Sequence, residues 1–518
     1  MKKYALLLGL FISVTGFGQQ LILQSYTNTH EIETLYATGL VSIHHTGADF
    51  IIATASHEIP AGALTLKHDP WSSEARYFLV WFPEDNTREA LNQLTGQYNL
   101  LYSDAGKAIV EVPFISQSGP KSLVHGGVVK ISPASSWKPE AVENSRYVID
   151  TFPIINDMIA LVDTGEFMPT MRHLEGYGTR YCQSPQAFEA QDWIKAKFEE
   201  YPELEVELQD FPYWGGSSSD NVIATLPGTV NPDEYIVVGA HYDSFAWGPT
   251  APGADDNASG TAAVLELARI LSQYEFDKSI VFCAFSAEEE GLIGSEYYAS
   301  RAQTQGMDIL GYFNFDMIGY RHQSDPIHTD MIAPPSAAEL VNFYKGVVAI
   351  YLPDFEVFDA QLSGGDSDHT SFNNNGYMGI FPFEDVPNYS PYIHTSQDLV
   401  GPSVNCPEMA STFIQANLAS LVSLSVPYDP VGMEDPKRDF MALRLYPNPA
   451  TSTVTFRAMV KEPLNIVIYS GLGQQVLERI VHGQLSVDVT TLPSGVYMVQ
   501  VALPDRTEFH RLIVSSSR

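Results

Sequence analysis

The stretch that decides the fold is residues 235–243, YIVVGAHYD, an apolar run that ends in a histidine and an aspartate. Two further apolar runs also end in carboxylates: residues 279–290, SIVFCAFSAEEE, and residues 310–316, LGYFNFD. Short apolar runs separated by helical segments are typical of buried parallel strands joined by crossovers. Parallel strands end at the same edge of a sheet, where ligands bind in open α/β proteins. The sequence therefore predicts that five side chains converge at one edge: His241, Asp243, Glu288, Glu289 and Asp316.

A further acidic pair, Asp255 and Asp256, lies between the first two runs, in PGADDNASG at residues 252–260. A helical pattern follows this segment, so the pair lies at a loop-to-helix junction beside the same edge. A later histidine, His394, follows the apolar run 378–383. Histidines and carboxylates just past strands suit zinc, which takes nitrogen and oxygen ligands and keeps one position open for water at catalytic sites. Because carboxylates outnumber imidazoles, the pattern favours two ions about 3.5–4 Å apart, bridged by one carboxylate.

Six short motifs carry these residues: HYDS (241–244), PGADDNASG (252–260), AEE with GLIGS (287–295), FDM (315–317), SDH (367–369) and IHTSQD (393–398). In their order and spacing the chain resembles the dizinc peptidases that include bacterial leucyl aminopeptidase. The resemblance extends from about residue 174 to about residue 426. Each motif alone is weak evidence, whereas six in order are specific.

The resemblance implies five metal ligands: His241 and Asp316 on one zinc ion, Glu289 and His394 on the other, and Asp256 as the bridge. Asp255 would lie outside the metal ligands. Glu288 matches the general base of the family, and Asp243 matches the carboxylate that orients His241. Such an acceptor fixes the tautomer of a ligating histidine and raises its basicity, which gives the His-x-Asp spacing a chemical reason.

The implied reaction is the release of an N-terminal amino acid from a peptide. Two zinc ions would activate a water molecule and polarise the scissile carbonyl group. Glu288 would take the water proton and later pass it to the leaving amine. An apolar pocket discriminates by about 1–3 kcal/mol per methylene, so a broad preference for large apolar residues is expected. The resemblance lines this pocket with four residues, for which ordinary core packing is the alternative: Met317, Phe381, Phe383 and Ile393.

The chain departs from the family in one loop. Gly364, Gly365 and Asp366 stand where close relatives would carry a tyrosine that supports the tetrahedral intermediate, with cysteines flanking it. Asp368 and His369, just beyond this loop, are open to two interpretations, contact with substrate or support of the ligands. The neighbouring run of glutamates also has a simpler interpretation, as a solvated helix start, because acids favour helix N-termini. We apply that interpretation to Glu290 alone.

Three other functions stay open. A carboxypeptidase on the same scaffold would need a cation for the substrate's terminal carboxylate, and Arg321 is the nearby candidate. A glutaminyl cyclase on the same fold typically works with one zinc ion, whereas this chain has ligands for two. A non-catalytic surface binding protein would need neither Glu288 nor a full set of ligands.

Composition limits the partners and the chemistry. The 518 residues fit about three domains, and 45% hydrophobic with 17% charged residues is typical of globular proteins. A formal net charge of -34 argues against nucleic acid and anionic membrane surfaces as partners. Three cysteines are too few for a disulfide framework. Cys283 lies in a predicted buried strand, and a bridge between Cys182 and Cys406 stays open.

The chain divides into five segments. Residues 1–18 have the basic start, short apolar run and small residues of a secretory signal peptide, and no other run is long enough for a transmembrane segment. Residues 19–148 predict an α+β region, interpreted as a pro-domain that assists folding or covers the active site, or else as a permanent accessory domain. Residues 149–428 are the predicted zinc peptidase catalytic domain. Their order of strands and helices predicts an α/β fold with a mixed, mostly parallel sheet covered by helices on both faces.

The C-terminal part has a different pattern. Residues 429–442, rich in proline and charge, predict a linker, and the short strands of residues 443–518 predict a β-sandwich. The segments LYPNPA (445–450) and SGVY (494–497) resemble the C-terminal sorting domains of type IX secretion. This resemblance implies export through the periplasm by the type IX machinery to the cell surface or the medium, with removal of the tail. A fixed carbohydrate- or surface-binding module is the alternative.

Overall fold

The computed structural model describes residues 19–427 and 443–514, apart from gaps at 48, 57–58, 73–74, 83–86, 114–118, 121–126, 134–145, 150, 213–216, 324, 363–364, 447–449, 451, 459–462, 471–473 and 504–506. The predicted signal peptide and linker lie outside the described residues, as does Gly364 of the departing loop. The chain divides into two compact units after Tyr428. Among the described helices, none combines the length and the apolar character that crossing a bilayer requires.

The N-terminal region contains two four-stranded antiparallel sheets and two helices. The first sheet has the order β2-β3-β1-β4, from β1 (Gln20–Ser25), β2 (Val41–Thr46), β3 (Phe50–Ala55) and β4 (Leu64–His68). The second has the order β6-β7-β5-β8, from β5 (Arg76–Trp81), β6 (Asn99–Ser103), β7 (Lys107–Val112) and β8 (Val128–Ile131). The helices are α1 (Thr29–Ala37) and α2 (Thr87–Thr95). Helices and antiparallel sheets together make this region α+β in its described residues.

The predicted catalytic domain has, in its described residues, one eight-stranded sheet with helices around it. Its strands are β9 (Glu205–Pro212), β10 (Ser218–Leu226), β11 (Asn231–His241), β12 (Lys278–Phe285), β13 (Asp308–Asn314), β14 (His328–Ile332), β15 (Glu356–Ala360) and β16 (Gly379–Phe383). Its helices are α3 (Ile154–Ile159), α4 (Thr164–Glu175), α5 (Pro185–Phe198), α6 (Gly260–Leu271), α7 (Ile293–Gln305), α8 (Ala338–Tyr351), α9 (His369–Asn374) and α10 (Pro407–Ser425). The strand order is β15-β14-β16-β13-β11-β12-β10-β9.

The sheet is mixed, as predicted. Strands β12, β11, β13 and β16 are parallel neighbours at its centre, whereas β10 and β14 join them antiparallel on either side. The register aligns His241 with Phe285 of β12, and Gly239 with Asn314 of β13. The ends of three strands therefore lie level at one edge of the sheet, where the site was expected.

Alternate residues of the central strands pack in different cores. Ile236 and Val238 of β11 belong to a core that includes α6 and α10, whereas Val237 between them packs with residues of α7 and α9. All three side chains are fully buried. Because successive side chains of a strand point to opposite faces, this division places helices on both faces of the sheet. The predicted covering of both faces is confirmed.

The N-terminal region shares hydrophobic cores with the catalytic domain. Phe78 and Val128 of its second sheet pack with Phe211 and Ala287 of the catalytic domain. Gly291 allows this close approach, because a Cβ there would lie 3.2 Å from Val128 Cγ1, and its φ of 112° also favours glycine. The two parts therefore bury apolar surface against each other next to the segment that carries the glutamates.

The three cysteines are buried, and no disulfide joins any two of them. Cys182 lies in the core shared with the N-terminal region, whereas Cys406 lies in the main core of the catalytic domain. The open question of a bridge between them is thereby answered, because no disulfide joins them. Cys283 is fully buried in β12, as its position in an apolar run predicts.

A buried carboxylate, Glu296 of α7, makes the stability of this unit sensitive to pH. Burial raises its pKa to about 7, against an ordinary 4.5, although the charge of Lys130 in β8 lowers it. Between these pH values the folded state binds more protons than the unfolded state, so stability falls as pH rises. Relative to the Glu296→Gln variant, we expect the wild-type free energy of unfolding to fall by up to about 3 kcal/mol from pH 4.5 to 7.

Urea unfolding of the zinc-loaded protein at several pH values measures this difference. Glutamine keeps an oxygen for the hydrogen bond that Asn375 Nδ2 donates to Glu296 Oε2 at 2.8 Å, so the variant changes mainly the charge. Glu207→Gln, on the exposed side of β9, is the control and should follow the wild type at every pH. A constant difference between wild type and Glu296→Gln across this range would contradict the prediction.

The C-terminal unit has seven strands in its described residues: β17 (Leu443–Tyr446), β18 (Thr453–Ala458), β19 (Leu464–Ser470), β20 (Gln475–Val481), β21 (Gln484–Asp488), β22 (Gly495–Ala502) and β23 (Thr507–Val514). They form a three-stranded sheet, β17-β18-β21, and a four-stranded sheet, β20-β19-β22-β23. One core takes side chains from both sheets, among them Val454 and Phe456 of the first and Ile466 and Val499 of the second. The unit is strand-rich, and the β-sandwich stays a prediction.

Candidate metal centre

The predicted side chains meet at the carboxyl edge of the sheet. His241 ends β11, Glu288 and Glu289 follow β12, and Asp316 follows β13. All four are at least 97% buried. Donor atoms of His241, Glu288 and Asp316 lie within 4.8 Å of one another, and so do those of His241, Asp256 and Glu289. Strands that are far apart along the chain thus bring nitrogen and oxygen donors into one buried cluster.

Asp256 lies between two histidines. Its Oδ1 is 3.3 Å from His241 Nε2, and its Oδ2 is 3.2 Å from His394 Nε2. His241 Nε2 is also 3.5 Å from Asp316 Oδ1, and His394 Nε2 is 3.0 Å from Glu289 Oε2. The Asp256 carboxylate therefore directs one oxygen toward the pair His241 and Asp316 and the other toward the pair His394 and Glu289. Each pair combines an imidazole with a carboxylate.

The chemistry of these donors fits bound cations. Among the described residues, several buried atoms at the centre make no hydrogen bond: His241 Nε2, Glu288 Oε1, both carboxylate oxygens of Glu289, and His394 Nε2. Buried polar atoms without a partner are rare because they cost free energy. Imidazole nitrogen and carboxylate oxygen are the ligands that zinc takes. The cluster therefore has the composition and the unsatisfied atoms of a zinc site.

The electrostatics of the cluster agree with this conclusion. Burial raises the pKa of Glu288 well above its ordinary value, and the charge of Glu289 adds to the rise. Burial alone would lower the pKa of His241, but the charges of Glu288 and Asp316 raise it well above 6.5. Neighbouring carboxylates contribute to both rises, so the cluster concentrates buried negative charge that favours a positive partner.

The buried carboxylate of Asp243 contacts three members of the cluster. Its Oδ1 lies 3.5 Å from His241 Nδ1 and accepts a hydrogen bond from the Glu288 backbone N–H at 3.2 Å. Its Oδ2 accepts from the Glu289 backbone N–H at 3.4 Å. Asp243 thus orients both the segment that carries the two glutamates and the histidine, whose Nδ1 also lies 3.2 Å from the Asp243 carbonyl oxygen.

Two residues that sequence reasoning missed hold the Asp256 loop. Asp398 accepts hydrogen bonds from the backbone N–H groups of Asp255 at 2.9 Å and Asp256 at 3.0 Å. Asp398 ends the IHTSQD motif, so the signal was present but no role was assigned to it. The guanidinium of Arg180, which is fully buried, donates to the carbonyl oxygens of Pro252 at 2.6 Å and Gly253 at 2.9 Å. Arg180 lies outside every motif, so the sequence held no signal for it.

The SDH motif serves both the ligands and the pocket. Ser367 Oγ donates to Asp316 Oδ2 at 2.6 Å and accepts from Asn314 Nδ2 at 2.7 Å. Asp368 is buried, and burial raises its pKa to about 7. His369 packs against the ring of Phe381, with 5.2 Å between ring centroids. The motif therefore contributes a hydrogen bond to one predicted ligand and a ring to the neighbouring apolar cluster.

The residues predicted to line the substrate pocket form one apolar cluster. Met317, Phe381 and Phe383 are fully buried and pack with Ile332, and Ile393 lies against them. A cavity beside this cluster is lined by residues of the catalytic domain, such as Ile332, Leu362 and His369, and of the N-terminal region, among them Tyr26, His45 and Trp81. The N-terminal region therefore reaches the edge of the apolar cluster.

The interpretation of Glu290 as a solvated residue is wrong. Its side chain is 1% exposed, and its Oε1 accepts a hydrogen bond from the Tyr181 hydroxyl group. The physical reason is that α7 begins only at Ile293, so Glu290 lies in a turn that the N-terminal region covers rather than at an open helix start. Arg321, the cation considered for a carboxypeptidase, is exposed at the surface.

The fold and the buried donors define a metal-dependent hydrolase with a zinc exopeptidase fold, and comparisons with known proteins agree. Residues 221–409 match peptidase family M28, and residues 444–515 match the secretion system C-terminal sorting domain. Leucine aminopeptidase 1 of Pyrenophora teres f. teres is 32% identical over 276 residues, which cover 48% of this chain and 68% of that protein. Leucine aminopeptidase 1 of Metarhizium robertsii is 33% identical over 259 residues, which cover 46% of this chain and 64% of that protein.

A solved structure shares the fold. The crystal structure of the Legionella pneumophila LapA aminopeptidase has a TM-score of 0.57 and 20% identity, and the match covers 69% of this chain and all of that one. The chain therefore belongs to peptidase family M28, and it is a zinc-dependent metallo-aminopeptidase. Its sorting domain indicates type IX secretion and a secreted or cell-surface protein.

Proposed function

We propose that this protein is a secreted dizinc aminopeptidase that releases large apolar N-terminal residues from peptides. The observation that carries the proposal is the position of Asp256, whose two oxygens face His241 and His394 separately, at 3.3 and 3.2 Å. A carboxylate that bridges two ions needs further ligands for one ion near one of its oxygens and further ligands for the other ion near the second oxygen. Asp256 has this arrangement. Its family membership supports the same reaction.

Each ion would have its own ligands. His241 and Asp316 would hold one zinc ion, Glu289 and His394 the other, and Asp256 both. When bound, a pair of zinc ions would supply Lewis acidity toward the scissile carbonyl group and make water a better nucleophile. Asp243 would keep His241 oriented through the ring nitrogen that faces away from the ion.

Glu288 would be the general base. It lies with His241 and Asp316 in the buried cluster but is not needed to explain either pair of ligands. Burial raises its pKa, and a raised carboxyl pKa suits a group that accepts a proton and returns it near neutral pH. Its Oε1 would take the proton of the attacking water and deliver it to the leaving amine nitrogen. The Asp243 carboxylate, which binds the Glu288 backbone N–H, would keep the base in place.

The apolar cluster of Met317, Phe381, Phe383 and Ile393 would receive the N-terminal side chain of the substrate. Phe381 and Phe383 lie in the C-terminal part of β16 and Met317 follows β13, so the cluster lies beside the metal centre at the same edge of the sheet. The names of two relatives, both leucine aminopeptidases, support a preference for a large apolar residue.

The N-terminal region, residues 19–148, would act as a pro-domain that assists folding or covers the active site. Its residues Tyr26, His45 and Trp81 line the cavity beside the apolar cluster, which favours a role in limiting substrate access. Its shared core with Phe211 and Ala287 favours a role in folding, because that surface would otherwise meet water. A signal peptide at residues 1–18 and later removal of the C-terminal domain would complete the processing.

The proposal is tested with the chain that begins at Gln19, loaded with two equivalents of zinc. Leucyl-, glutamyl- and lysyl-anilides are compared with an N-blocked leucyl-anilide. We expect the leucyl substrate to be cut about tenfold faster or more than the charged ones, and the blocked substrate to be spared. Glutaminyl peptides and C-terminally labelled peptides are included in the same assay.

The other outcomes separate the alternatives. Cleavage of the N-blocked substrate would contradict an aminopeptidase, and release of C-terminal residues from the labelled peptides would favour a carboxypeptidase. Loss of ammonia from glutaminyl peptides without cleavage would favour a cyclase. Zinc binding without any reaction, also after proteolytic removal of residues 19–148, would favour a binding protein with a retired active site.

A further inference from the structure

A second group of metal-ligating side chains lies outside the catalytic centre. Donor atoms of His328, Asp330 and Asp385 lie within 4.8 Å of one another. His328 and Asp330 are alternate residues of β14, so they share one face of the sheet. Strand β14 pairs antiparallel with β16, with Asp330 opposite Phe383. Extending this register by two residues puts Asp385 beside His328 on that same face.

In each of the three side chains, one polar atom is hydrogen-bonded to the protein and a second polar atom is available as a ligand. The Nδ1 of His328 lies 3.0 Å from the Pro326 carbonyl oxygen, to which it donates, so the lone pair is on Nε2. Asp330 Oδ2 accepts a hydrogen bond from the Val386 backbone N–H at 2.8 Å. A histidine that donates its other ring N–H to a carbonyl group, beside oriented carboxylates, has the arrangement of a metal ligand.

Asp385 supplies the independent indication of a ligand. Its side chain is 5% exposed, and its Oδ2 accepts a contact from Asn388 Nδ2 at 3.3 Å. Its Oδ1 is buried and makes no hydrogen bond to any described residue. A buried carboxylate oxygen without a partner costs free energy that a bound cation would recover. We infer that His328, Asp330 and Asp385 form a second, structural binding site for a divalent transition metal.

The spacing distinguishes a metal site from a simple ion pair. Among the described residues, neither nitrogen of His328 comes within 4.0 Å of an oxygen of Asp330 or Asp385, although the donor atoms lie within 4.8 Å. Direct pairing would bring these atoms closer. The carboxylates therefore do not pair directly with the imidazole, and all three donors stay available to one cation.

The donor types select the class of metal. One imidazole and two carboxylates suit zinc, manganese or cobalt, whereas calcium and magnesium prefer oxygen ligands alone. The ion would join β14 to the segment that follows β16. That segment begins with Glu384, which accepts hydrogen bonds from the backbone N–H groups of Tyr320 and Ser390, and it leads to His394. The site would thus stabilise the segment that delivers a ligand to the catalytic centre.

The test compares the metal content of variants of the chain that begins at Gln19. Each protein is saturated with zinc chloride, freed of loose metal by dialysis and measured by mass spectrometry. We expect the wild type to hold one equivalent more than Asp385→Asn and one more than His328→Gln. Asp359→Asn, an exposed aspartate of the adjacent β15 that pairs with Lys345, is the control and should match the wild type. The result is a difference between variants, so it does not depend on how many ions the catalytic centre holds.

Crystals of the wild-type protein grown with zinc chloride give a second measurement. An anomalous peak at the zinc edge among His328, Asp330 and Asp385 is expected, whatever the stability of the variants. Equal metal content in wild type, Asp385→Asn and His328→Gln would overturn the proposal. The absence of anomalous density among these three residues, in crystals whose catalytic centre shows it, would overturn it as well.

Discussion

The Glu288→Gln variant is expected to lose about 10²- to 10⁴-fold in kcat while it keeps its zinc, because glutamine cannot accept the water proton. Glu288 is not one of the five predicted ligands, and its backbone N–H is held by Asp243, so the substitution leaves the metal centre in place. Glutamine also has nearly the same volume as glutamate, which avoids a cavity. Steady-state hydrolysis of leucyl-anilide, together with the zinc content of the same sample, measures both parts of the prediction.

The neighbouring Glu290 offers a matched control. It is buried like Glu288, but its Oε1 is hydrogen-bonded to Tyr181, away from the catalytic cluster. Glu290→Gln keeps an acceptor for this hydroxyl group and should retain activity within a few fold. If Glu288→Gln kept more than a tenth of the wild-type kcat, another group would be the base. Asp368, a buried carboxyl group with a pKa raised to about 7 by burial, would be examined next.

The Asp256→Asn variant should lose zinc as well as activity. Its oxygens face His241 and His394 at 3.3 and 3.2 Å, so a neutral amide at this position removes the charge that both ions would share. Loss of an outer partner typically lowers metal affinity 10- to 100-fold, and loss of a shared ligand should exceed about 100-fold. Dialysis followed by metal analysis is expected to show fewer zinc equivalents than in wild type, with activity lost in parallel.

Asp255→Asn provides the comparison for this loss. Asp255 precedes Asp256 and is equally buried, but its Oδ1 accepts from the Gly319 backbone N–H instead of facing the histidines. The amide oxygen of asparagine can accept the same hydrogen bond from the Gly319 N–H. The variant should therefore keep its zinc. Full zinc content and activity in Asp256→Asn would contradict its role as a bridge.

Two kinds of signal made much of the fold predictable. Helix α5 begins after Ser184, whose Oγ accepts a hydrogen bond from the Ala187 N–H, and has Pro185 in its first turn. The buried part of strand β11, residues 236–240, is a run of β-branched and small residues, which is typical of a strand buried on both faces. Such elements are decided by neighbours along the chain. The predicted ligands came from the six motifs, whose order and spacing resemble one family. The match to peptidase family M28 confirms that resemblance.

Residues whose role depends on distant partners escaped prediction. Glu290 was misinterpreted because the N-terminal region covers it, and no local pattern announces that contact. Arg180 belongs to no motif, yet it holds Pro252 and Gly253 through its buried guanidinium. His328 and Asp330 look like ordinary polar residues at alternate positions of a strand. They form a candidate metal site only because the fold places Asp385, just after β16, beside them.

By itself the sequence determined the central strands of the sheet and which donors follow each of them, because these depend on side-chain periodicity and local backbone preference. It also determined the class of chemistry, since imidazoles and carboxylates in this order match one family. Only the tertiary structure decided that Asp256 faces two histidines, that Asp398 holds its loop, and that the N-terminal region reaches the apolar cluster. Distances between residues far apart along the chain are set by how sheets and helices pack, and no local pattern encodes them.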